Sequence, residues 1–524
     1  MFVRPEASKR NAKGVCQVQW VDELITSAPP NQIAIIDFDD AEYSYQTLET
    51  MTDDLTDALQ GHGVRPGDRV IVVSENCATF AVAIMAISRL RAWITPVNAR
   101  QTTDELQAIC DHSGACCLLF TPEASTASAD HAKRFMAAQI GQLDCGTISV
   151  SPLVEATPEI VETDPQNQVA ALMYTTGTTS APKGVMLTHA NLVWNAKTSA
   201  NIRQLNHSDV ILAVLPATHI YCYASGILAA LGAGAAVRFI PRFSPEVVLK
   251  AFAEGATMMP GVPQMYQAIV NHLQSRNETP FAPRLRLISS GGAPLDPDWK
   301  KGIEAFFGLP LHNGYGLTET SPGVAVTRDE YPRDDISVGE VVPDVEIRVE
   351  RPDKDGIGEL LIRGPNIMKG YYRNPIATNE AIRPDGFFNS GDLARIGPDG
   401  ALFIVGRKKE LIIRSGFNVY PPEVEAMLTR HPDILQAAVV GRVVKGNEQV
   451  LAFIITTGNI TQEVIKTWLQ DHLVAYKIPQ HVFIVDGFPA APTGKILKHK
   501  IVDVFADMIV DVDRADNSTT LTDT

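Results

Sequence analysis

The sequence predicts an α/β protein of at least two domains. Three observations carry that expectation. Apolar β-branched runs alternate with helical patterns over most of the chain, the texture changes after about residue 337, and 524 residues exceed one ordinary core. RVIVVSEN, residues 69–76, reads as a short strand, followed by an Ala/Ile/Met-rich helix through Arg89 and a second strand, WITPVN. QVAALMY, residues 168–174, opens a further unit that passes through a Gly/Thr loop into a helical pattern near 189–199. LRLISSGGAPL ends a strand in glycines, where a backbone can approach a flat ligand closely.

From about residue 337 to 403 the segments VEIRVE, GELLIRG and GFFNSGDLARIGPDGALFIVG are short, β-like and separated by Gly, Pro and Asp, as in a small antiparallel unit. Beyond Gly406 a smaller α/β pattern follows: ELIIRS, a helix in PPEVEAMLTRH, strands QAAVVG and VLAFIIT, and a helix around 462–472. The expected domains are therefore 1–406, with its β-rich part at about 337–406, and 407–513, with a disordered polar tail at 514–524.

With 45% hydrophobic and 20% charged residues the composition is that of an ordinary globular protein. A net charge of −15 argues against non-specific nucleic-acid binding, which demands a basic face. It leaves ATP open, because a few cations and backbone N–H groups suffice for phosphates. The first residues carry cations but no apolar run, so no signal peptide is expected. The apolar stretch 220–236 is broken by glycines and contains Tyr221, Tyr223 and Ser225, which predicts a buried segment and no membrane span. Seven scattered cysteines without a CxxC pair fit reduced thiols in a cytoplasm, and a monomer or homodimer is expected.

The segment Tyr174–His189, YTTGTTSAPKGVMLTH, gathers threonines, a serine, glycines and a lysine directly behind a strand. Glycine lets successive N–H groups converge on an anion, hydroxyls donate further hydrogen bonds, and lysine supplies full charge. It is not a Walker loop, because Lys183 precedes Gly184 and Val185 instead of a Ser or Thr.

That string resembles the signature loop of the adenylate-forming (ANL) superfamily: acyl-CoA synthetases, coumarate ligases, luciferases and peptide-synthetase adenylation domains. The likeness runs from about residue 20 to 501, with the other family motifs in the family's order; Ser180 stands where relatives usually carry Gly. It implies a large N-terminal domain of two α/β subdomains plus a small β-barrel-like unit, and a small mobile α+β C-terminal domain. By the same resemblance Thr175, Thr176, Gly177, Thr178, Thr179 and Lys183 hold phosphates.

NGYGLTET, beginning at Asn313, resembles the second nucleotide motif, with Gly314 and Gly316 in its backbone. There Tyr315 stacks beside adenine, Thr318 reaches the α-phosphate and Glu319 holds Mg²⁺. SSGGAP supplies Gly291, Gly292 and Ala293 beside the purine; Asp392 accepts from the ribose hydroxyls, and Arg407 is a second ribose contact. Lys495, in PTGKILK, is the implied catalytic lysine of adenylation, whereas Lys498 and Lys500 read as solvated surface lysines. Lys409 stands at the family's hinge position and Ser415-Gly416 at its pantetheine tunnel. Arg414, Arg442, Lys445 and Lys477 read mainly as solvated charges, with coenzyme A phosphates as the alternative partner.

The resemblance places the acyl pocket among residues 215–227, 258–266 and the surroundings of Gly291 and Gly316. His219 and Tyr221 match the His-x-Tyr spacing of aromatic-acid ligases, and Met259 and Val262 belong to the second segment. His219 is taken as a catalytic or pocket residue, with a packed core histidine as the alternative. Neither segment carries Lys or Arg, which favours an apolar monocarboxylate, aryl or medium-chain, over a dicarboxylate. The implied activity is ATP-dependent acid–CoA ligation through an acyl-adenylate, with Mg²⁺. Transfer to a carrier-protein phosphopantetheine and a non-catalytic nucleotide-binding relative stay open as alternatives.

Overall fold

The structure, a computed structural model, describes residues 2–3, 19–26, 28–175, 183–415, 417–444, 447–458, 460–490 and 496–510. It is mixed α/β, and its contacts divide it into two units. The first comprises Met1–Arg348, Leu361–Ser390 and Gly397–Leu402; the second comprises Val349–Leu360, Gly391–Ile396 and Phe403–Thr524.

Two large sheets build the first unit. In the eight-stranded sheet, Arg69–Ser74 lies centrally, parallel to both Trp93–Asn98 and Cys117–Phe120. Every residue of Arg69–Ser74 is buried, as a β-branched run in the middle of a parallel sheet requires. The helix Ala78–Arg89 that follows is apolar all round and buried from Ala78 to Ser88, so it serves as core. In the nine-stranded sheet Val210–Ala213, Met258–Gly261, Leu287–Gly291 and Leu311–Gly316 run parallel in that order. Residues 220–236 form the expected buried segment, a π-helical stretch Tyr221–Leu228 continued by Ala229–Gly232. Among the described residues no helix is long and apolar enough to cross a membrane.

Asn76, just past the strand Arg69–Ser74, ties the two sheets together. Its Nδ2 lies 2.7, 2.8 and 3.0 Å from the carbonyl oxygens of Ala213, Leu215 and Ile240, and its Oδ1 accepts from the Ala217 N–H at 2.7 Å. The segment leading to His219 is thereby fixed at its start.

The β-rich segment is a five-stranded sheet of Phe2–Val3, Glu346–Glu350, Gly358–Arg363, Phe388–Ile396 and Leu402–Arg407. In the second unit Ile434–Val444 pairs antiparallel with Asn447–Thr456, which in turn pairs parallel with His481–Ile484. Both faces of this sheet are covered. Val439, Val450, Ala452 and Ile454 join one core with Val424 and Leu469, while Ala438, Leu451, Phe453 and Phe483 join another with Ile501. That explains why QAAVVG and VLAFIIT read as continuous apolar runs instead of alternating ones.

Asp37 shows what the first unit's packing costs. It is 3% exposed, and its Oδ1 accepts from the Ala78 N–H at 3.0 Å, at the start of a core helix. Burial pushes its carboxyl up to about 7. A folded-state pKa above the unfolded one means that the folded chain holds the proton more tightly. Its contribution is full below about pH 4 and is lost as pH rises through about 7. Asp37→Asn keeps an accepting oxygen without the charge. It is expected to raise the thermal midpoint at pH 8 and flatten its fall between pH 5 and 8; an unchanged slope in scanning calorimetry would contradict this.

Candidate functional site

The phosphate segment begins in a hairpin. Val169–Thr175 and Lys183–Thr188 pair antiparallel, with Thr175 opposite Lys183. Thr176, Gly177, Thr178, Thr179 and Ser180 lie outside the described residues. A strand–loop–helix order is expected from the sequence; the structure interposes a second strand. KGVMLT has no clean two-residue alternation, and its exposure follows none, so the strand carries little signal. The helix His189–Ile202 starts only afterwards, capped by Thr188, whose hydroxyl accepts from the Asn191 N–H.

Lys183 sits with its Nζ 4.9 Å from the centre of the Tyr371 ring. Tyr371 belongs to the short strand Gly370–Tyr371 on the other side of Lys183–Thr188, opposite Val185. Its hydroxyl donates to Glu319 Oε1 at 2.8 Å. Burial, and then the Glu319 charge, push the Tyr371 phenol far up, so it stays a donor. Tyr371 thus joins the lysine of the first motif to the carboxylate of the second.

The second motif occupies the strand Leu311–Gly316 and the 3₁₀ turn Thr318–Thr320. Thr318, Glu319 and Tyr315 are half-buried. Gly316 is obligatory: a Cβ there would stand 1.9 Å from the Pro322 carbonyl oxygen. Asn313 is buried, and its Nδ2 donates to the carbonyls of Ile336 and Ser337, both at 3.2 Å, so its amide braces a neighbouring segment. In the adjacent parallel strand Gly291 stands opposite Gly314. Gly292 has φ +74° with open space where a side chain would stand, and Ala293 is half-buried. These strand ends offer a floor with little side chain on it.

Among the described residues no group of three or more His, Cys, Asp or Glu could hold a metal by itself. Mg²⁺ needs less, since it often takes one carboxylate plus phosphate oxygens and water. Glu319 fits that need: one oxygen is held by Tyr371 and the carboxylate is only half-buried.

His219 is exposed, which overturns the packed-core alternative; its Nδ1 lies 3.3 Å from the Tyr221 N–H. The Tyr221 hydroxyl is 3.1 Å from Ser289 Oγ, and a Cβ at Gly291 would be 3.3 Å from the Tyr221 ring. The candidate pocket residues on 258–266 divide. Met259 is fully buried in a core with Val248 and Phe252, whereas Val262 is half-buried at the start of the helix Pro263–Gln274. Tyr266 is also buried; its hydroxyl accepts from the Ser289 N–H at 3.1 Å and lies 2.5 Å from the Met259 carbonyl, joining two strand ends.

In the second unit Asp392 is buried, and the Arg407 Nε lies 3.3 Å from its Oδ1. Lys409 is exposed in the turn Lys408–Glu410. Ser415, at φ +52°, follows the strand Ile412–Arg414, which pairs with Phe417–Val419. Gly416, Lys445 and Lys495 lie outside the described residues. Three cations expected to be solvated are engaged. Arg414 Nη1 donates to the carbonyls of Ala475, Tyr476 and Ile478, and Lys477 pairs with Glu423 at 2.5 Å. Arg442 donates to the Gln449 side chain. Lys498, read from sequence as a surface lysine, is corrected as well: it pairs with Glu425 at 2.7 Å and Glu410 at 3.5 Å, with 18% of its side chain exposed. Sequence reasoning missed Asn76 and Tyr371, because each acts on residues far away in the chain.

Residues 23–372 match the family model of the AMP-binding enzymes, and residues 423–495 match the AMP-binding enzyme C-terminal domain. The chain is 34% identical over 470 residues to a feruloyl-CoA synthase of Amycolatopsis sp, covering 87% of this chain and 93% of that one. It is 34% identical to an oxalate–CoA ligase of Arabidopsis thaliana, covering 85% and 90% respectively. It is 32% identical to 4-coumarate–CoA ligase 1 of Arabidopsis thaliana, covering 87% and 86%. Among solved structures, ATP-bound MatB from Rhodopseudomonas palustris superposes with a TM-score of 0.80 at 28% identity, covering 94% of this chain and 99% of that one. The o-succinylbenzoate CoA synthetase of Bacillus subtilis in complex with its acyl-adenylate gives 0.79 at 26%, covering 93% and 98%.

The two glycines of the second motif are expected to differ. A Cβ at Gly314 would make only ordinary contacts of 3.6 Å, whereas at Gly316 it would meet backbone. Gly316→Ala should cost roughly 1–3 kcal/mol of stability or more and abolish nucleotide binding. Gly314→Ala should be far milder. Thermal unfolding and ATP titration of both variants check the contrast, which equal losses would refute.

Proposed function

Because the chain belongs to the AMP-binding enzyme family, we propose that it is an AMP-forming acid–CoA ligase acting on an apolar monocarboxylic acid, aryl or medium-chain. The observation that carries this is the convergence on Tyr371 of Lys183, a cation at the phosphate hairpin, and Glu319, a carboxylate able to hold Mg²⁺. A carboxylate is a poor electrophile, so the acid first attacks the α-phosphorus of ATP and expels pyrophosphate. Charge builds on the phosphoryl oxygens in that step, and preorganised cations and N–H groups stabilise it. Lys183 supplies such charge beside the Thr175 hairpin, and Thr318 supplies a hydroxyl. Mg²⁺, held by Glu319, would neutralise further charge. The side-chain-poor backbone at Gly291, Gly292, Gly314 and Gly316 accepts the purine, with Tyr315 beside it. Asp392 and Arg407 hold the ribose.

The thiol of coenzyme A then attacks the acyl carbon and releases AMP. Lys495 serves the first half-reaction, Lys409 is the hinge between the two, and Ser415-Gly416 admits the pantetheine. The acid class is supported by the exposed His219 and by Tyr221, which hydrogen-bonds Ser289 beside Gly291. It is further supported by likeness to the feruloyl and coumarate ligases. The described cysteines are free thiols, which supports a cytoplasmic setting.

Lys495→Ala is expected to lower acid-dependent pyrophosphate release by on the order of 10²–10³ or more while sparing coenzyme A-dependent consumption of a supplied acyl-adenylate. Equal loss of both half-reactions would count against the assignment. Lys409 variants should slow the thiol step more than adenylation. A panel of aryl, medium-chain and dicarboxylic acids, assayed for AMP formation with and without coenzyme A, tests the substrate class; preference for a dicarboxylate such as oxalate would reverse it.

A further inference from the structure

Glu319 and Lys183 stand on different strand systems of the first unit, and each is useful only if it is aimed. Glu319 follows the strand Leu311–Gly316 on a three-residue turn, Thr318–Thr320, that is too short to orient a flexible carboxylate by itself. Lys183 opens its strand, opposite Thr175. Both meet one side chain. Tyr371 is 8% exposed, and its backbone is held on two sides, by strand pairing opposite Val185 and by the N–H to Thr378 Oγ1 bond at 2.9 Å. From that anchored position its hydroxyl donates to Glu319 Oε1 at 2.8 Å, and its ring face lies 4.9 Å below the Lys183 ammonium.

A carboxylate has two oxygens, and a donor that occupies one fixes the rotation of the other. An ammonium over an aromatic face is likewise held without being neutralised, so its charge stays available to an anion. We propose that Tyr371 is a positioning residue for ATP: its hydroxyl presents the free oxygen of Glu319 to the nucleotide-bound divalent cation, and its ring presents Lys183 to the phosphates. This rests on the nucleotide-site assignment made above. It predicts that the hydroxyl and the ring have separable roles, one toward the metal and one toward the phosphates.

The test uses the full chain with Mn²⁺ as a paramagnetic probe and α,β-methylene ATP, which cannot transfer its adenylyl group to an acid. Tyr371→Phe keeps the ring and removes only the donor. It should weaken Mn²⁺ binding to the protein–analogue complex about 10-fold or more, read by electron paramagnetic resonance, while leaving metal-free analogue binding within about 2-fold. Tyr371→Leu should show the same loss toward Mn²⁺ and in addition weaken metal-free analogue binding by roughly 3–10-fold, because Lys183 loses its seat. In a Glu319→Gln background Tyr371→Phe should add nothing further toward Mn²⁺. Thermal midpoints separate these effects from unfolding. Unmoved Mn²⁺ affinity in Tyr371→Phe, equal loss of metal-free binding in the Phe and Leu variants, or a full additional loss in the Glu319→Gln background would each overturn the proposal. With a wild-type chain that binds the analogue and Mn²⁺ normally, any of those three results overturns the role of Tyr371 alone. If the wild-type chain bound neither, the nucleotide site itself would fall with it.

Discussion

The buried amide of Asn76 is the contact on which the first unit's geometry turns. A primary amide removed from water must recover its hydrogen bonds or cost roughly 1–3 kcal/mol per unsatisfied group. Asn76 recovers them entirely from backbone of the other sheet: the carbonyls of Ala213, Leu215 and Ile240 and the N–H of Ala217. These partners sit at the ends of strands or just beyond them. The bond set therefore holds the strand end at Ser74 against the strand ends at Ala213 and Phe239, and fixes where the segment toward His219 and Tyr221 departs.

Parallel strands deliver their carboxyl ends to one edge of a sheet, where ligands of open α/β folds are bound. Gly261, Gly291 and Gly316 are the last residues of neighbouring strands. The same edge is cross-braced by the Tyr266 hydroxyl at Met259 and Ser289 and by Tyr221 at Ser289. The glycine-ended strands and the segment at His219 and Tyr221 are thus parts of one hydrogen-bonded rim. A residue such as Met259, buried in the core beneath that rim, acts on its shape through packing.

The strand pair Val169–Thr175 and Lys183–Thr188 obeys a different constraint. Its first strand continues the parallel sheet beside Trp93–Asn98, its second is added antiparallel, and the strand Gly370–Tyr371 extends the ladder by two residues. That short strand brings a tyrosine from almost two hundred residues downstream to the base of the hairpin. In the second unit the same economy appears at Lys498, whose ammonium satisfies Glu425, a carboxylate whose pKa burial pushes up, and Glu410 beside Lys409. Both are polar groups whose role is set by partners that only folding assembles.

Local order was determined by the sequence itself. Apolar β-branched runs placed the strands at 69–74, 169–175, 287–291 and 447–456, because strand burial depends on near neighbours in the chain, and the resemblance of its motifs to those of a known family singled out Lys183, Glu319, Asp392 and Gly316. The antiparallel strand Lys183–Thr188 escaped that logic, its six residues being too few and too irregular in pattern to outweigh the helix behind them. Only the tertiary structure decided that Asn76 joins the sheets, that Tyr371 holds both Glu319 and Lys183, that His219 is exposed, and that Arg414, Lys477 and Lys498 are engaged. Hydrogen bonds and ion pairs between residues distant in sequence leave no periodicity behind. Their partners are fixed by the packing of sheets and helices, which no window along the chain contains.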